Sequence, residues 1–390
     1  MDPKRFSDRS PGRVVRITTG TLMGDWAFVP RPLPPVGWEL PANLVPLLIQ
    51  ARDRLGNLNG IGRTLPHPQL LLRPLQDREA LTSSRLEGTF ATPEELLLFS
   101  RNPHSPKSAR DPDSASEEVY NHTRALTEGL EQLKDRRVLS LQLVRMMHEV
   151  LMRGVRGANK APGEFRRLQV CIGSDHRYVP PPANELPDQL AALQEYMNVA
   201  PPGDQTDPLV RSYLSHYQFE AIHPFMDGNG RIGRLLLSFM VYVELDQYMP
   251  WLYMSPFLER HKDEYIDRMF RVSTSGDWTG WIRFCLTGTI AQANDSIRRC
   301  ERLQTLRDEF RSRLGADGSP RTSRIIEDLF TDPLIPMAEL ARKMNVSYAT
   351  AKADVNALVE KKILRQLDGV YPATFYSPDI FHIAYSETVE

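Results

Sequence analysis

The residues best suited to chemistry lie in one string of twelve: His223-Pro224-Phe225-Met226-Asp227-Gly228-Asn229-Gly230-Arg231-Ile232-Gly233-Arg234. It holds an imidazole, a carboxylate, a glycine-flanked turn and two guanidiniums. Gly228 and Gly230 permit tight or positive-φ backbone, so successive N–H groups can point into one concavity. The apolar run Leu235–Val241 follows at once and reads as a helix whose N-terminus would lie under the turn and attract anions. Arg231 and Arg234 are three apart, on nearly one face of its first turn. Arginine there opposes the helix dipole, which makes sense if a phosphate offsets the charge. Asp227 is a hard oxygen ligand suited to Mg²⁺ or Mn²⁺ shared with a di- or triphosphate. His223 has the one unperturbed pKa suited to removing a proton near neutral pH.

A second constellation lies upstream: Ser83-Ser84-Arg85-Leu86-Glu87-Gly88. Ser83 and Glu87 are i,i+4 and share a helix face, and Gly88 reads as the left-handed cap that ends the helix. By itself such a segment is as readily a solvated helix end.

Together the two strings resemble the Fic family. The first matches H-P-F-x-[D/E]-G-N-G-R-x-x-R at every specified position, and the second matches the family's inhibitory signature [S/T]-x-x-x-E-[G/N]. The likeness spans about 116–285 and implies a protein adenylyltransferase that moves AMP from ATP to Ser, Thr or Tyr hydroxyls of target proteins and of itself. Carried over by position, His223 is the general base and Asp227 holds the divalent ion. The Gly228-Asn229-Gly230 backbone, with the Asn229 side chain, cradles phosphates, and Arg231 and Arg234 neutralise the outer ones. Glu87 pairs with Arg234 and withdraws it from ATP, so the enzyme is autoinhibited. Residues 163–180 take the place of the family's flap, which holds the target as an added strand, with Ile172-Gly173 and Tyr178-Val179 flanking the nucleotide pocket. Tyr265 is an adenine contact or a core aromatic. Removal of AMP through the same site is the rival reaction, and a DNA-binding regulator with a vestigial core is the rival from another class.

The elements that must position these groups are mainly helical. Residues 1–40, with Pro30-Arg31-Pro32-Leu33-Pro34-Pro35, read as an irregular arm. Helical periodicity then marks a helix from Leu44, and others at 69–86, after Thr92, 116–133, 140–151, 186–197, 207–222, 230–248, 256–274 and 278–314. Alternation over 163–173 and the extended 178–182 predict a short β-hairpin. His148 and His216 fall in amphipathic helices and read as packed. After the linker Gly315–Pro320, three helical segments (321–330, 336–344, 348–360) and two short strands around Asp368-Gly369 resemble a winged helix-turn-helix. Three divisions are therefore expected: 1–115, an arm and inhibitory-helix region; 116–314, the catalytic domain; and 321–390, the winged helix. Its basic residues are balanced by acidic ones, so DNA reading, homodimer formation and partner docking all stay open.

A 41% hydrophobic, 25% charged chain of 390 residues with net charge −1 is an ordinary soluble globular composition, with no global field for nucleic acid or acidic membrane. Three unevenly spaced cysteines make neither a disulfide framework nor a Cys-rich zinc site, which favours a reducing compartment. No leader or membrane span is visible, so the expected place is the cytoplasm, with no membrane partner.

Overall fold

The computed structural model describes residues 1–386 apart from 19, 21, 65–68, 155–158, 174–175 and 316–317. The turn of the expected 163–180 hairpin and the middle of the expected linker thus lie outside the described residues.

The fold is mainly α, as the periodicity predicts. Two compact units divide it: Met1–Asn59 with Glu79–Ala293, and Gly60–Arg78 with Asn294–Glu390. The first unit opens with strands β1 (Gly12–Arg16) and β2 (Trp26–Pro30), then helix α1 (Val45–Thr64), which ends in the second unit. Helix α2 (Gln69–Leu86) gives its first half to the second unit and its second half to the first. There follow α3 (Pro93–Arg101), α4 (Asp113–Arg136), α5 (Leu141–Leu151), α6 (Leu186–Asn198), α7 (Pro208–Ile222), α8 (Asn229–Glu244), α9 (Ser255–Arg260), α10 (Lys262–Ser275) and α11 (Trp278–Leu314), which from Asn294 on belongs to the second unit.

Helices α7 and α8 form the centre. Nearly every residue of both is buried, polar ones included, which is the mark of a helix enclosed on all sides. They pack on each other, and α8 also packs on α4 and α5. Local chemistry starts α7 sharply: Pro208 sits in the first turn, and the Asp207 carboxylate accepts the Leu209 N–H at 2.8 Å. Trp251, Trp281, Phe225 and Phe239 fill the space between elements at or near zero exposure.

The arm is not irregular throughout. β1 and β2 pair antiparallel in the register Gly12↔Pro30 to Arg16↔Trp26. The run Ala27-Phe28-Val29 is buried on both faces, so it lacks the alternation that announces a strand. Conversely, the expected hairpin at 163–180 carries a single antiparallel bridge, Ile172↔Tyr178, among the described residues. Pro180, Pro181 and Pro182 have no N–H with which to extend a ladder.

The second unit adds α12 (Pro320–Thr331), β3 (Leu334–Pro336), α13 (Met337–Met344), α14 (Tyr348–Glu360), β4 (Arg365–Gln366), β5 (Thr374–Tyr376) and α15 (Pro378–Tyr385). Ser319 caps α12, Ser347 caps α14, and Asn345 turns between α13 and α14 at φ 52°. The strands form one antiparallel sheet in the order β3-β5-β4. Strand β3 is too short to show a period in sequence. Helix α15 is fixed by Arg299, which donates to the carbonyls of Ile383 and Ser386, and by the Tyr385 hydroxyl, which donates to Asp77 at 3.2 Å. Among the described residues, Cys171, Cys285 and Cys300 are free, and no helix is long and apolar enough to cross a membrane.

Candidate active site

His223 closes α7 in the left-handed conformation, at φ 50°, and Gly228 opens α8 at φ 74°. The six residues 223–228 between α7 and α8 thus form a tight loop. Asn229 ties it: its side-chain oxygen accepts the Phe225 N–H at 2.8 Å, and its amide nitrogen donates to the Phe225 carbonyl at 2.9 Å. The Asn229 side chain, read from sequence as a phosphate ligand, is turned to the loop itself. What it offers a phosphate is the backbone N–H at the start of α8. Asp227 is exposed, and one of its carboxylate oxygens accepts the Gly228 N–H at 2.6 Å.

A cavity of about 570 Å³ opens beside this loop. His223, Gly230, Arg234, Glu87 and Tyr265 line it, together with Glu220, Lys262, Arg177 and the apolar Leu86, Ile172, Tyr178, Met269 and Phe270. His223, Gly230, Arg234, Glu87 and Tyr265, with the flap residues Ile172, Gly173 and Tyr178 expected to flank the pocket, therefore meet in one place. Asp227, Gly228, Asn229 and Arg231 do not line it. Arg231 is buried behind the loop, 3.3 Å from Glu118 on α4. Tyr265 is 5% exposed, and its hydroxyl lies 2.9 Å from His216 Nε2, so it belongs to the core and presents its ring to the cavity.

Arg234 is held from α2. Its Nε donates to Ser83 Oγ at 2.9 Å, and its Nη2 donates to the Ser83 carbonyl at 2.9 Å and to Glu87 Oε1 at 2.8 Å. The guanidinium is buried, while the Glu87 side chain is 41% exposed toward the cavity. A methyl group placed on Gly230 would collide with Glu87 Oε1. The carboxylate thus rests over the first turn of α8, where an anion is favoured. Desolvation pushes the Glu87 carboxyl up, but the Arg234 charge and hydrogen bond, with Arg231 and His223, outweigh this and hold it below its ordinary value. Gly88, at φ 86°, ends α2, and Lys262 Nζ donates to the Leu86 carbonyl at 2.7 Å.

Burial, with the Arg166 charge beside it, pushes the half-buried His223 ring down to about 4; the Glu220 carbonyl and the Glu87 and Asp227 charges oppose this. The ring is neutral at pH 7 and can accept a proton. Burial likewise pushes the Glu220 carboxyl up to about 7, against the pull of Arg234. Sequence reading passed over Glu220, Lys262 and Arg166, and read His148 only as packed, which it is. Arg166 from the flap and His148 from α5 hold the loop, and nothing in their neighbouring residues, several of them charged, sets them apart.

Asp227 suits a divalent ion shared with substrate: a single exposed carboxylate beside an anion-favouring helix start matches the way Mg²⁺ is held by one or two carboxylates plus phosphates. Among the described residues no group of three His, Cys, Asp or Glu side chains could hold a metal unaided.

Comparison with known proteins fits this geometry. Residues 45–131 match the model of the Fic/DOC family N-terminal region, and residues 138–241 match the Fic/DOC family model. The chain carries a Fic domain. This Fic-domain chain is 31% identical over 122 residues to a protein named protein adenylyltransferase Fic from Culex quinquefasciatus, covering 31% of this chain and 22% of that one. It is also 31% identical over 124 residues to a probable protein adenylyltransferase of Aquifex aeolicus, covering 32% of this chain and 34% of the relative. It thus spans a third or less of these relatives. A solved Fic family protein from Desulfovibrio desulfuricans has the same fold, with a TM-score of 0.55 at 19% identity over 87% of this chain and 97% of that one.

Proposed function

We propose that the protein is an adenylyltransferase that moves AMP from ATP to a hydroxyl of a target protein or of itself, and that Glu87 holds it at rest. The observation that carries this reading is the meeting of His223, the start of α8 and the Glu87–Arg234 pair in one nucleotide-sized cavity. The relatives' names, protein adenylyltransferase Fic, support the same reaction.

The hydroxyl oxygen attacks the α-phosphorus. The bond to the α-phosphorus forms, the bond from it to the bridging oxygen breaks, and pyrophosphate leaves with the electron pair. His223 Nε2 takes the hydroxyl proton. The N–H groups at the start of α8 face the phosphates, and Arg234, once released, neutralises their outer charge. A Mg²⁺ or Mn²⁺ ion bound at Asp227 would neutralise phosphate charge. The apolar wall of Ile172, Tyr178, Met269 and Phe270, with the Tyr265 ring, suits the base. The target lies along 163–180 as an added strand.

One observation favours the reverse reaction as a second reading: the Glu87 carboxylate is open to the same cavity as His223, where it could orient a water. The second unit's order of helix, strand, two helices joined at Asn345, and a two-stranded wing supports a winged helix. Duplex binding at two salt concentrations separates DNA reading, which weakens steeply with salt, from homodimer or partner contacts.

The test is incorporation of α-labelled ATP into a lysate and into the protein, with Glu87→Gly, and with His223→Ala in that background. Label in the first and none in the second is expected. No label with Glu87→Gly, or equal label with His223→Ala, would overturn the reading. Release of AMP from modified protein by the parent chain alone would favour the reverse reaction.

A further inference from the structure

We infer that Arg166 and His148 are positioning residues that lock the flap to the catalytic loop, so that the segment meant to hold the target and the group meant to deprotonate it move as one body. The functional meaning rests on the proposed adenylyl transfer; the mechanical claim does not.

Arg166 is 3% exposed. Its Nε donates to the His223 carbonyl at 2.9 Å, its Nη2 to Pro181 at 2.6 Å and Ile222 at 3.4 Å, and its Nη1 to Leu168 at 3.1 Å. Its own N–H donates to the Pro224 carbonyl at 2.8 Å. One planar fork therefore joins both limbs of the flap to the residues that carry the imidazole. Only arginine has five donors set in a rigid plane for this. All its described hydrogen-bond acceptors are carbonyls. A buried cation is normally paired with a carboxylate; among the described residues Arg166 has none, and its charge lies beside His223.

His148 makes the second tie. The Gly163 N–H donates to Nδ1 at 2.9 Å, so Nδ1 carries no proton, and Nε2–H donates to the Asp227 carbonyl at 3.1 Å. The ring is fully buried and stacks on Phe225, with centroids 3.7 Å apart and planes 8° apart. It links the first residue of the flap to the far end of the catalytic loop. Tyr178 adds a third tie from its hydroxyl to the Ala221 carbonyl at 3.0 Å. The flap gains from such ties, because its own pairing among the described residues is one bridge.

The charges that face His223 are Arg166 from the flap, Glu87 from α2 and Asp227 from the loop, with the Glu220 carbonyl on α7. Arg234, Lys262 and the Glu220 carboxyl line the same cavity. After burial itself, Arg166 is the influence that most favours the neutral ring, so removing its charge should raise the ring's titration midpoint.

The test uses the full chain with Glu87 intact and reads two quantities that need no activity. Carbon-13-labelled histidine, with His223→Gln to identify the signal, gives the His223 midpoint. Hydrogen exchange follows the bonded amides of Gly163, Arg166 and Ile172. Arg166→Met should raise the midpoint above about 4, with burial still holding it below its ordinary value, and speed exchange at Arg166 and Ile172 at least tenfold. Arg166→Lys keeps the charge but reaches fewer carbonyls, so the midpoint should stay near the parent's while exchange still quickens. His148→Phe keeps the stack and loses both hydrogen bonds; it should quicken exchange at Gly163 and leave the midpoint alone. If Arg166→Met fails to fold, the other two variants decide by exchange. Parent-like exchange in Arg166→Lys and His148→Phe would overturn the proposal. In the Glu87→Gly background, Arg166→Lys should lower kcat for self-modification severalfold without changing KM for ATP. Absence of any labelling by Glu87→Gly itself would count against adenylyl transfer, and the titration and exchange results would still decide the lock.

Discussion

At the scale of single residues, the proposed function rests on His223 and Glu87. His223→Ala should abolish AMP transfer while leaving ATP binding largely intact, since the imidazole acts on the hydroxyl; loss of a general base costs roughly 10²–10⁴ in rate. A nucleotide-binding titration beside the labelling assay checks both halves. Glu87→Gly should raise self-labelling well above the parent's, because Arg234 cannot serve Glu87 and a phosphate together. Arg234→Ala should not activate, and the double variant should behave like Arg234→Ala alone. Labelling by the four proteins side by side decides this, and parity between Glu87→Gly and the parent would reduce Ser83–Gly88 to a capped helix end. The pair is half open, not buried as a salt bridge in the core would be, so its strength is modest and salt-sensitive. Its carboxyl is held below the ordinary value, so the lock is intact at neutral pH and is lost only as pH falls through that lowered value.

At the scale of elements, two helix ends matter. Gly228 begins α8 at φ 74°, and Met152 Sδ lies where a side chain would go. Gly228→Ala should cost about 1–2 kcal/mol from the left-handed backbone, with loss of nucleotide binding. Thermal unfolding with and without ATP measures both. Lys262 caps the end of α2 through the Leu86 carbonyl. Lys262→Met should loosen that end and raise self-labelling about two- to fivefold with Glu87 intact, the range expected for a cation at a helix C-terminus. No change in Glu87-intact protein would exclude the cap from control. The loop's glycine turn and the helix that follows were legible in sequence, since they are near neighbours, whereas the Asn229 side chain, read as a phosphate ligand, ties the loop instead. The β1–β2 hairpin was not, because β2 is buried on both faces and shows no alternation. The flap misled in the opposite sense: it alternates, but three prolines stop its ladder.

At the scale of the whole molecule, the first unit carries buried histidines that stay neutral. Burial pushes His148 down to about 4 and His216 to about 3. Both lie below the unfolded value of about 6.5, so the unfolded chain takes up protons first. Their contribution is complete above pH 6.5 and is lost as pH falls toward 4, where each ring should cost on the order of 3 kcal/mol. Unfolding followed by the fluorescence of Trp251 and Trp281, which both lie in that unit, should show a falling Tm across this window. A flat curve would mean the rings are not held neutral. The expected division into an arm, a catalytic domain and a winged helix is linear along the chain. The compact units are not: residues 60–78 join 294–390 through contacts such as Asp77 with Tyr385 and Arg78 with Asp295.

The sequence alone determined the helical class and, through the family resemblance, pointed to the proposed catalytic string and the proposed inhibitory residues. Each is written in near neighbours, where turn, cap and period are set by local backbone preference. Only the tertiary structure decided what holds those parts together. Glu87 meets Arg234 across 147 residues, and His148 reaches Asp227 across 79. The resemblance implied the first pairing, and the fold brings the two side chains to 2.8 Å. The Arg166 and His148 ties had no such pointer, because their partners are backbone carbonyls and an amide. Every residue has a carbonyl, so a bond to one leaves no mark on the residue type that supplies it.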